Sequence, residues 1–334
     1  MSYAAPLELK SRWFMPAVLL LIVLLSAVVT WTEPYIAPAA AHQKALLVES
    51  FARGGLAGYA EAAVHAAAWV FVVIVFRPML LLAAVVLIES RLASRGEERK
   101  NLALAWTVRA AFLIFAYALG LLLARSLPAL PGPLFDFTDS GSPSWLRTAQ
   151  MAVLLLITVL ATDFFQYWAH RSFHRFRFLW KFHAVHHSPR DLDVLHAFQH
   201  PVEAAATWFL VALPLGALIA GVDAGQFSLL AAFFLVQSHL AHTKAPVHLG
   251  PLGGLLVDNR FHFIHHSREP RHFDRNFAAI FPVFDRIFGT YCKPEPGPLP
   301  KTGLGDRLPP QRLSHYFLAH LPPEDRQPAD RPPA

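Results

Sequence analysis

Charged residues are scarce in this chain of 334 residues, of which only 16% are Asp, Glu, Lys or Arg. Soluble globular proteins usually carry about 25% charged residues, and 54% of this sequence is hydrophobic. The shortage of charge argues against a soluble enzyme, a disordered chain and a nucleic-acid-binding protein. We interpret the formal net charge of +6 as the excess of Lys and Arg that membrane proteins carry in their cytoplasmic loops.

The sequence also contains a single cysteine, Cys292. One thiol excludes an intramolecular disulfide framework, a Cys-x-x-Cys redox pair and a metal site built from four thiolates. The zinc-protease motif His-Glu-x-x-His, the nucleotide loop Gly-x-Gly-x-x-Gly and the P-loop are also missing. Nothing resembles a flavin, haem or iron–sulfur segment, so electrons for a redox reaction would have to come from another protein.

Long apolar runs predict an all-α integral membrane protein with about four to six membrane-embedded helices. A helix needs roughly 20 mostly apolar residues to cross the hydrocarbon layer. Three runs are predicted to span the membrane, at about 14–36, 101–125 and 145–168. The run at about 58–90 is too long for one straight span and is either one long bent helix or an interfacial helix followed by a span. A further apolar pair, at about 203–221 and 225–238, predicts a helical hairpin that dips into the bilayer and returns to the same face.

The distribution of Lys and Arg predicts the orientation of these helices. The N-terminal pair Lys10 and Arg12, the polar loop 91–100 and the basic stretch 171–181 fall on one side, whereas the loop 126–144 has no Lys or Arg. The side rich in Lys and Arg is cytoplasmic, so the residues after 168 should form a cytoplasmic helical cap. High usage of Ala, Arg and Pro indicates a bacterial inner membrane.

Histidine is abundant and unevenly distributed, because fourteen of the eighteen histidines lie between His170 and His272. Residues three or four apart share one face of a helix, so a short cluster can direct two or three imidazoles to one point. Four such clusters hold ten histidines, namely His170 and His174; His183, His186 and His187; His239 and His242; and His262, His265 and His266.

Clusters of this kind favour a metal site, because neutral imidazole is a good ligand for iron, zinc, copper and nickel. A mononuclear site needs three or four ligands, so ten candidates suggest two metal ions. Two identical His-x-x-His-His triplets, one on each side of segment 203–241, suggest a roughly two-fold arrangement around them. Because the span at 145–168 ends at the first cluster, the site should lie at the cytoplasmic membrane surface, within reach of a lipid chain.

Other polar residues are candidates for hydrogen bonds to the ligands. Asp163 lies seven residues before His170, two helical turns back on the same face, and an acid in a span is costly in lipid. We expect Asp163 to accept the free N–H of His170 or of another ligand. Weaker candidates for such contacts are His200, Asn276 and Asp285. Three further histidines have no role assigned by the sequence, namely His196, His248 and His272.

From about Asp163 to Tyr291 the chain resembles the membrane-bound fatty acid hydroxylase/sterol desaturase superfamily. The similarity rests on the histidine clusters and on four segments between or after them, His200-Pro-Val-Glu203, Leu249-Gly-Pro-Leu252, Asp274-Arg-Asn276 and Phe284-Asp-Arg-Ile-Phe-Gly-Thr-Tyr291. The resemblance implies an O2-dependent, non-haem di-iron oxidoreductase that hydroxylates or desaturates a C–H bond of a lipid. It also implies nine iron ligands, His170, His174, His183, His186, His187, His242, His262, His265 and His266, with His239 as a further candidate.

The resemblance further implies the cofactors and partners of the protein. These are two iron ions, O2 as co-substrate, a lipid from the bilayer and an external electron-transfer protein such as a ferredoxin, a cytochrome b5-like protein or a reductase. The segment 196–200 is close to one in sterol C5-desaturases, whereas His242-Thr243 resembles ether-lipid monooxygenases. The substrate therefore stays open between sterol-like, fatty-acyl and ether lipids, and the sequence does not indicate the oligomeric state.

On this interpretation, N-terminal transmembrane helices occupy 1–144, the catalytic domain occupies 145–292, and a Pro-rich tail that is expected to be irregular or disordered occupies 293–334. Two alternatives stay open. The first is an enzyme of the same chemistry that acts on a carotenoid or another isoprenoid. The second is a membrane metal-binding or transport protein, which would need polar residues along the spans; apart from His65 and Arg109, the spans have few.

Overall fold

The structure is a computed structural model that describes residues 38–39, 41–70, 135–136, 144–197, 200, 202–203, 207, 210–211, 219–220, 233–234, 236–245, 249, 252, 254–295, 297–305, 307–310 and 312–321. The predicted spans at 14–36 and 101–125 lie outside these residues, as do most of the apolar run at 58–90, most of the hairpin at 203–238, and His248. By contrast, the predicted span at 145–168 and all four histidine clusters lie within the described residues.

Helices dominate the described residues. They are α1 (41–53), α2 (Gly55–Val70), α3 (Ser144–Arg175), α4 (Arg177–His187), α5 (236–242), α6 (Asn259–His265), α7 (Val283–Ile287) and α8 (Leu313–Phe317). The predicted helical architecture is confirmed for the described residues, which also contain one pair of two-residue strands, where β1 (Phe135–Asp136) pairs in parallel with β2 (Ile219–Ala220). Two residues per strand are too few for a pattern of alternating hydrophobicity, so no sequence signal marks this pair.

Helix α3 coincides with the predicted span at 145–168. Its part Ala152–Arg175 has a mean hydropathy of 1.6 and, among the described residues, is the one helix long and apolar enough to cross a membrane. Only 28% of an apolar 18-residue stretch of this helix is buried within the protein. Val153 and Leu156 are each more than half exposed. An exposed apolar surface of this size is expected where a helix faces lipid or another apolar partner.

Phe176, whose backbone is extended, separates α3 from α4. The end of α3 contacts the end of α4, because His170 lies against His183 and His174 against His187. On the face of α3 that also carries His170 and His174, the buried Tyr167 forms one apolar core with α5, α6 and the loop before α7, through Ala241, Val257, Phe261, Phe277 and Ala278. This core brings the histidines of α5 and α6 to the end of α3 that carries His170 and His174.

Helix α6 is only seven residues long, but its start is well defined. The side chain of Asp258 accepts the N–H of Phe261 at 2.9 Å, an N-cap that satisfies one of the free N–H groups at a helix start. The amide of Asn259 donates to the carbonyls of Thr243 and Ala245 at 2.8 Å each. These bonds fix α6, and hence its histidines, relative to the end of α5.

Part of the tail after residue 292 packs against α4. Tyr316 in α8 is almost fully buried and packs with Ala319 against Val185 of α4. The hydroxyl of Thr302 donates to the carbonyl of Pro189 at 2.9 Å. Most described residues after 292 are irregular backbone, and apolar side chains within this Pro-rich sequence pack on the back of α4. The boundaries of the tail stay a prediction.

Candidate metal centre

Nine of the ten predicted ligands come together in two neighbouring groups, and the ligand nitrogens of each group lie within 4.8 Å of one another. The five-histidine group comprises His170, His174, His183, His187 and His265, and the four-histidine group comprises His186, His242, His262 and His266. Only His174 is more than marginally exposed. The groups adjoin, because the rings of His187 and His266 stack with their centroids 4.3 Å apart.

Each His-x-x-His-His triplet contributes to both groups. In α4, the residues one turn apart, His183 and His187, belong to the five-histidine group, whereas His186 joins the four-histidine group. A step of one residue rotates a side chain by about 100° around a helix, which separates His186 from His187. The triplet of α6 divides in the same way but with the groups exchanged, so the arrangement is roughly two-fold.

The Nε2 atoms within each group are at spacings that suit a shared metal ion. They are 3.2 Å for His170 and His183, 3.0 Å for His183 and His187, 3.2 Å for His174 and His187, 3.3 Å for His186 and His242, 3.0 Å for His242 and His262, and 3.0 Å for His262 and His266. Two imidazole nitrogens bound at about 2.0–2.1 Å to one metal are separated by about 2.9–3.4 Å, the limits of octahedral and tetrahedral angles. The donor set therefore fits one metal ion in each group.

Hydrogen bonds hold several rings with Nε2 toward the group. The Nδ1–H groups of four ligands donate outward, from His170 to the carbonyl of Phe277 at 2.8 Å, from His183 to Glu203 at 2.8 Å, from His242 to the carbonyl of Ser238 at 2.6 Å, and from His265 to the carbonyl of Arg275 at 2.9 Å. Since a neutral imidazole carries one proton, donation by Nδ1 leaves Nε2 as the free acceptor.

Burial also keeps these imidazoles neutral. It lowers the pKa of His242 to about 3, and it lowers the pKa values of His183, His187, His262, His265 and His266 well below 6.5. The neighbouring histidines add to this effect, because protonation of one disfavours protonation of the next. Neutral imidazole is the form that binds a metal, so the site is already in the binding state at neutral pH.

Asp163 does not contact a histidine in the way the sequence suggests. Its carboxylate accepts three backbone N–H groups, those of Ala279 and Ile280 at 3.0 Å and of Phe281 at 2.7 Å. Its effect on His170 is therefore indirect, through the loop whose Phe277 carbonyl receives the His170 ring proton. The expectation of a direct bond fails because a carboxylate inside a span can satisfy loop amides as well as a ring nitrogen.

Asn276 and Asp285 stabilise the same loop. Asp285 accepts the N–H groups of Phe277 and Ala278, both at 2.8 Å. Asn276 has a positive φ of 59°, a conformation in which Asn is enriched, and its amide spans α6 and Cys292 through bonds of 2.7–3.0 Å. Both residues thus shape the loop and do not bond to a ligand side chain.

The other described histidines belong to neither group. His200 contacts the carbonyl of Phe317 through Nε2 at 3.2 Å, so it connects to the C-terminal helix. His239 is buried one turn before His242 but belongs to neither group. His272 bonds Ser267 at 2.9 Å, and His196 lies 2.8 Å from Asp193.

The comparison with protein families agrees with this geometry. Residues 155–290 match the family model described as fatty acid hydroxylase, and the match encloses both histidine groups. Residues 155–290 belong to the fatty acid hydroxylase family. This fatty acid hydroxylase domain lies within the predicted catalytic region 145–292, whose boundaries stay a prediction.

Curated relatives of the domain act on lipids according to their names. An alkylglycerol monooxygenase of Danio rerio is 33% identical over 136 residues, which cover 41% of this chain and 30% of that protein. A very-long-chain aldehyde decarbonylase of Oryza sativa is 33% identical over 185 residues, 51% of this chain and 28% of its own. An ornithine lipid hydroxylase of Rhizobium tropici is 27% identical over 178 residues, 53% and 52% of the two chains.

The chain therefore spans less than a third of the first two relatives and about half of the third. No solved structure matches the chain. The similarity covers the fatty acid hydroxylase domain with its histidine groups and does not extend over the whole of any of the three relatives.

Two acidic residues that contact ligands of the domain are not predicted from the sequence. Glu203 is fully buried against His183, and Asp274, whose side chain is 75% exposed, lies 3.4 Å from Nδ1 of His174. The position of Glu203 at the start of an apolar run is a usable signal, because an acid beside a predicted membrane segment is costly without a partner. Asp274 carries no comparable signal, since exposed acids are common.

Proposed function

We propose that this chain is a membrane-bound oxygenase that binds two iron ions and uses O2 and external electrons to hydroxylate or desaturate a C–H bond of a lipid. The observation that carries the proposal is the pair of buried histidine groups with Nε2 spacings of 3.0–3.3 Å. The family of the domain and the lipid-modifying names of its relatives support the same reaction class.

The residues of the chain would hold and orient the cofactor. Two bound iron ions would supply the reduction of O2 and the oxidation of the C–H bond. The nine imidazoles present Nε2 to the two positions, while Phe277 and Glu203 fix two rings of the five-histidine group from outside. The ring of Phe277 also packs against His174 with centroids 5.1 Å apart, which excludes water from that side.

The position of the centre suits a lipid substrate. His170 and His174 lie in the last two turns of the candidate span, so both metal positions are close to one end of it. An alkyl chain could reach this end without leaving the bilayer. We propose a cytoplasmic position for the centre, in a bacterial inner membrane, with a helical cap and about four to six embedded helices.

The names of the relatives indicate a class of substrate but do not identify a single substrate. An alkylglycerol, a very-long-chain aldehyde and an ornithine lipid all combine a polar head with a long alkyl chain. We propose a fatty-acyl or ether-linked lipid of that kind, or a sterol-like lipid, as the substrate, and a ferredoxin, a cytochrome b5-like protein or a reductase as the electron donor. A carotenoid or isoprenoid substrate is the alternative within the same chemistry.

Metal analysis tests the metal part of the proposal. Purified protein should contain about two irons per chain, one for each histidine group. His186→Ala and His265→Ala each remove one ligand, from the four- and five-histidine groups respectively, and both should sharply lower the iron content. His320→Ala, at an exposed position outside both groups, is the matched control. Full occupancy in both ligand variants would refute the site.

Comparative lipid mass spectrometry tests the reaction. Cells that express the protein should contain a lipid that has gained one oxygen or lost two hydrogens, and this product should be missing with His186→Ala. A metal-binding or transport protein, the alternative of another class, would bind metal but leave the lipids unchanged. An oxidised carotenoid as the only product would favour the isoprenoid alternative.

A further inference from the structure

The loop segment 276–282, between α6 and α7, is irregular backbone whose N–H groups are all bonded to protein atoms. The N–H of Asn276 donates to the carbonyl of Thr290 at 3.0 Å. Those of Phe277 and Ala278 donate to Asp285. Pro282, at the end of the segment, has no N–H to satisfy.

The remaining three N–H groups, those of residues 279–281, donate to Asp163 of the candidate span. Two carboxylates, both fully buried, thus accept five consecutive backbone N–H groups. Loops usually run over a hydrated surface, where water can satisfy such groups. At membrane depth no water is present, so irregular backbone is tolerated there only with protein partners.

The position of Asp163 in α3 sets the depth of this loop. Asp163 precedes Trp168 by five residues and Arg175 by twelve, which corresponds to about 7.5 Å and about 18 Å along a helix. Tryptophan is enriched at the boundary between membrane and water, and cytoplasmic Lys and Arg lie beyond it. The loop therefore meets α3 on the membrane side of Trp168.

The surface of α7 continues the exposed apolar surface of α3. The ring of Phe288, directly after α7, packs on Trp168 with centroids 4.9 Å apart, at a place where Trp168 is itself 40% exposed. On a neighbouring side of α7, Val283 and Ile287 are 39% and 64% exposed. Arg286, between them, is exposed and long enough to reach lipid head groups.

We propose that the segment 279–288 is embedded in the membrane beside α3, with Val283 and Ile287 in contact with lipid chains. The proposal rests on the membrane part of the proposed function and adds a contact that hydropathy does not mark, because α7 is far too short to span. The same loop carries the Phe277 carbonyl that receives the His170 ring proton. Its insertion would thus fix the metal centre at the membrane boundary.

Spin labels at single cysteines test the proposal, since Cys292 is the only native cysteine. In a Cys292→Ser background, labels are placed by Ile287→Cys and Val283→Cys. Leu156→Cys, on the exposed side of the span, is the membrane control, and Arg271→Cys, on an exposed loop, is the aqueous control. The full chain is reconstituted into vesicles of phosphatidylcholine and phosphatidylglycerol, and label collisions with oxygen and with a water-soluble nickel chelate are measured.

Compared with the label at position 271, the labels at 283 and 287 should show almost no collisions with the nickel chelate and more collisions with oxygen. The label at 156 should behave in the same way. Accessibility to the chelate equal to that at position 271 would overturn the proposal. If the label at 156 were also accessible, the membrane part of the proposed function would fail as well. Circular dichroism of each variant shows that the helices are retained, and none of these readings depends on metal or on lipid oxidation.

Discussion

Nδ1 of His183 lies 2.8 Å from Oε1 of Glu203, and both side chains are almost completely buried. His183 lies inside the five-histidine group, where its Nε2 contacts Nε2 of both His170 and His187. A carboxylate that accepts the outer N–H of a ligand fixes the tautomer and makes the imidazole a stronger donor. Glu203 therefore orients a histidine whose Nε2 contacts the Nε2 atoms of two others.

Glu203→Gln should lower metal affinity at the five-histidine group by about 10–100-fold, the usual cost of removing such a partner. This affinity is measured by titrating metal-free protein with cobalt(II) and following the absorption of the bound cobalt. One of two binding steps should weaken while the other stays unchanged. The control variant is Glu269→Gln, because Glu269 is more exposed than Glu203 and pairs with Arg271. Unchanged binding in Glu203→Gln would contradict the role.

His239 and His242 offer a comparison within one helix. His242 belongs to the four-histidine group, whereas His239 belongs to neither. His242→Ala should therefore lose one metal ion per chain, and His239→Ala should keep both. Elemental analysis of the two purified variants decides the point. Loss of a metal ion from His239→Ala would show that His239 is a tenth ligand.

Acid should destabilise the metal-free protein. The buried histidines outside α3 have pKa values lowered below 6.5 by burial, whereas in the unfolded chain they titrate near 6.5. Below pH 6.5 the unfolded state thus binds more protons, and stability falls as pH falls, by up to about 1.4 kcal/mol per pH unit for each such histidine. Thermal melts in detergent at pH 7.5, 6.5 and 5.5 measure this, and equal melting temperatures would contradict it.

Asp163→Asn should loosen the loop before α7. The amide has one acceptor oxygen and would turn an NH2 group toward at least one of the three loop N–H groups, and an unpaired buried donor costs about 1–3 kcal/mol. The melting temperature should fall, and iron content should fall with it as His170 loses its fixed carbonyl partner. Thr162→Ala, which removes only a hydroxyl bonded within α3, should change both values far less.

The sequence predicted which histidines come together better than it predicted how they divide between the two groups. Spacing alone identified the clusters, because i, i+3 and i+4 positions share a helix face. It could not assign His186 and His187, adjacent in sequence, to different groups, since that division depends on how α4 meets α5 and α6. Long-range partners such as Glu203 and Asp163 were equally hidden, because twenty residues separate His183 from Glu203 and 116 separate Asp163 from Ala279.

The triplets of α4 and α6 divide their histidines between the two groups, so each helix supplies imidazoles to both. A change of one side chain affects one group, whereas a shift of a whole helix affects both. Tilting α4 would displace His183 and His187 in one group and His186 in the other. Removing either helix would take histidines from both groups, so a scaffold reduced to one group would still need residues of both α4 and α6.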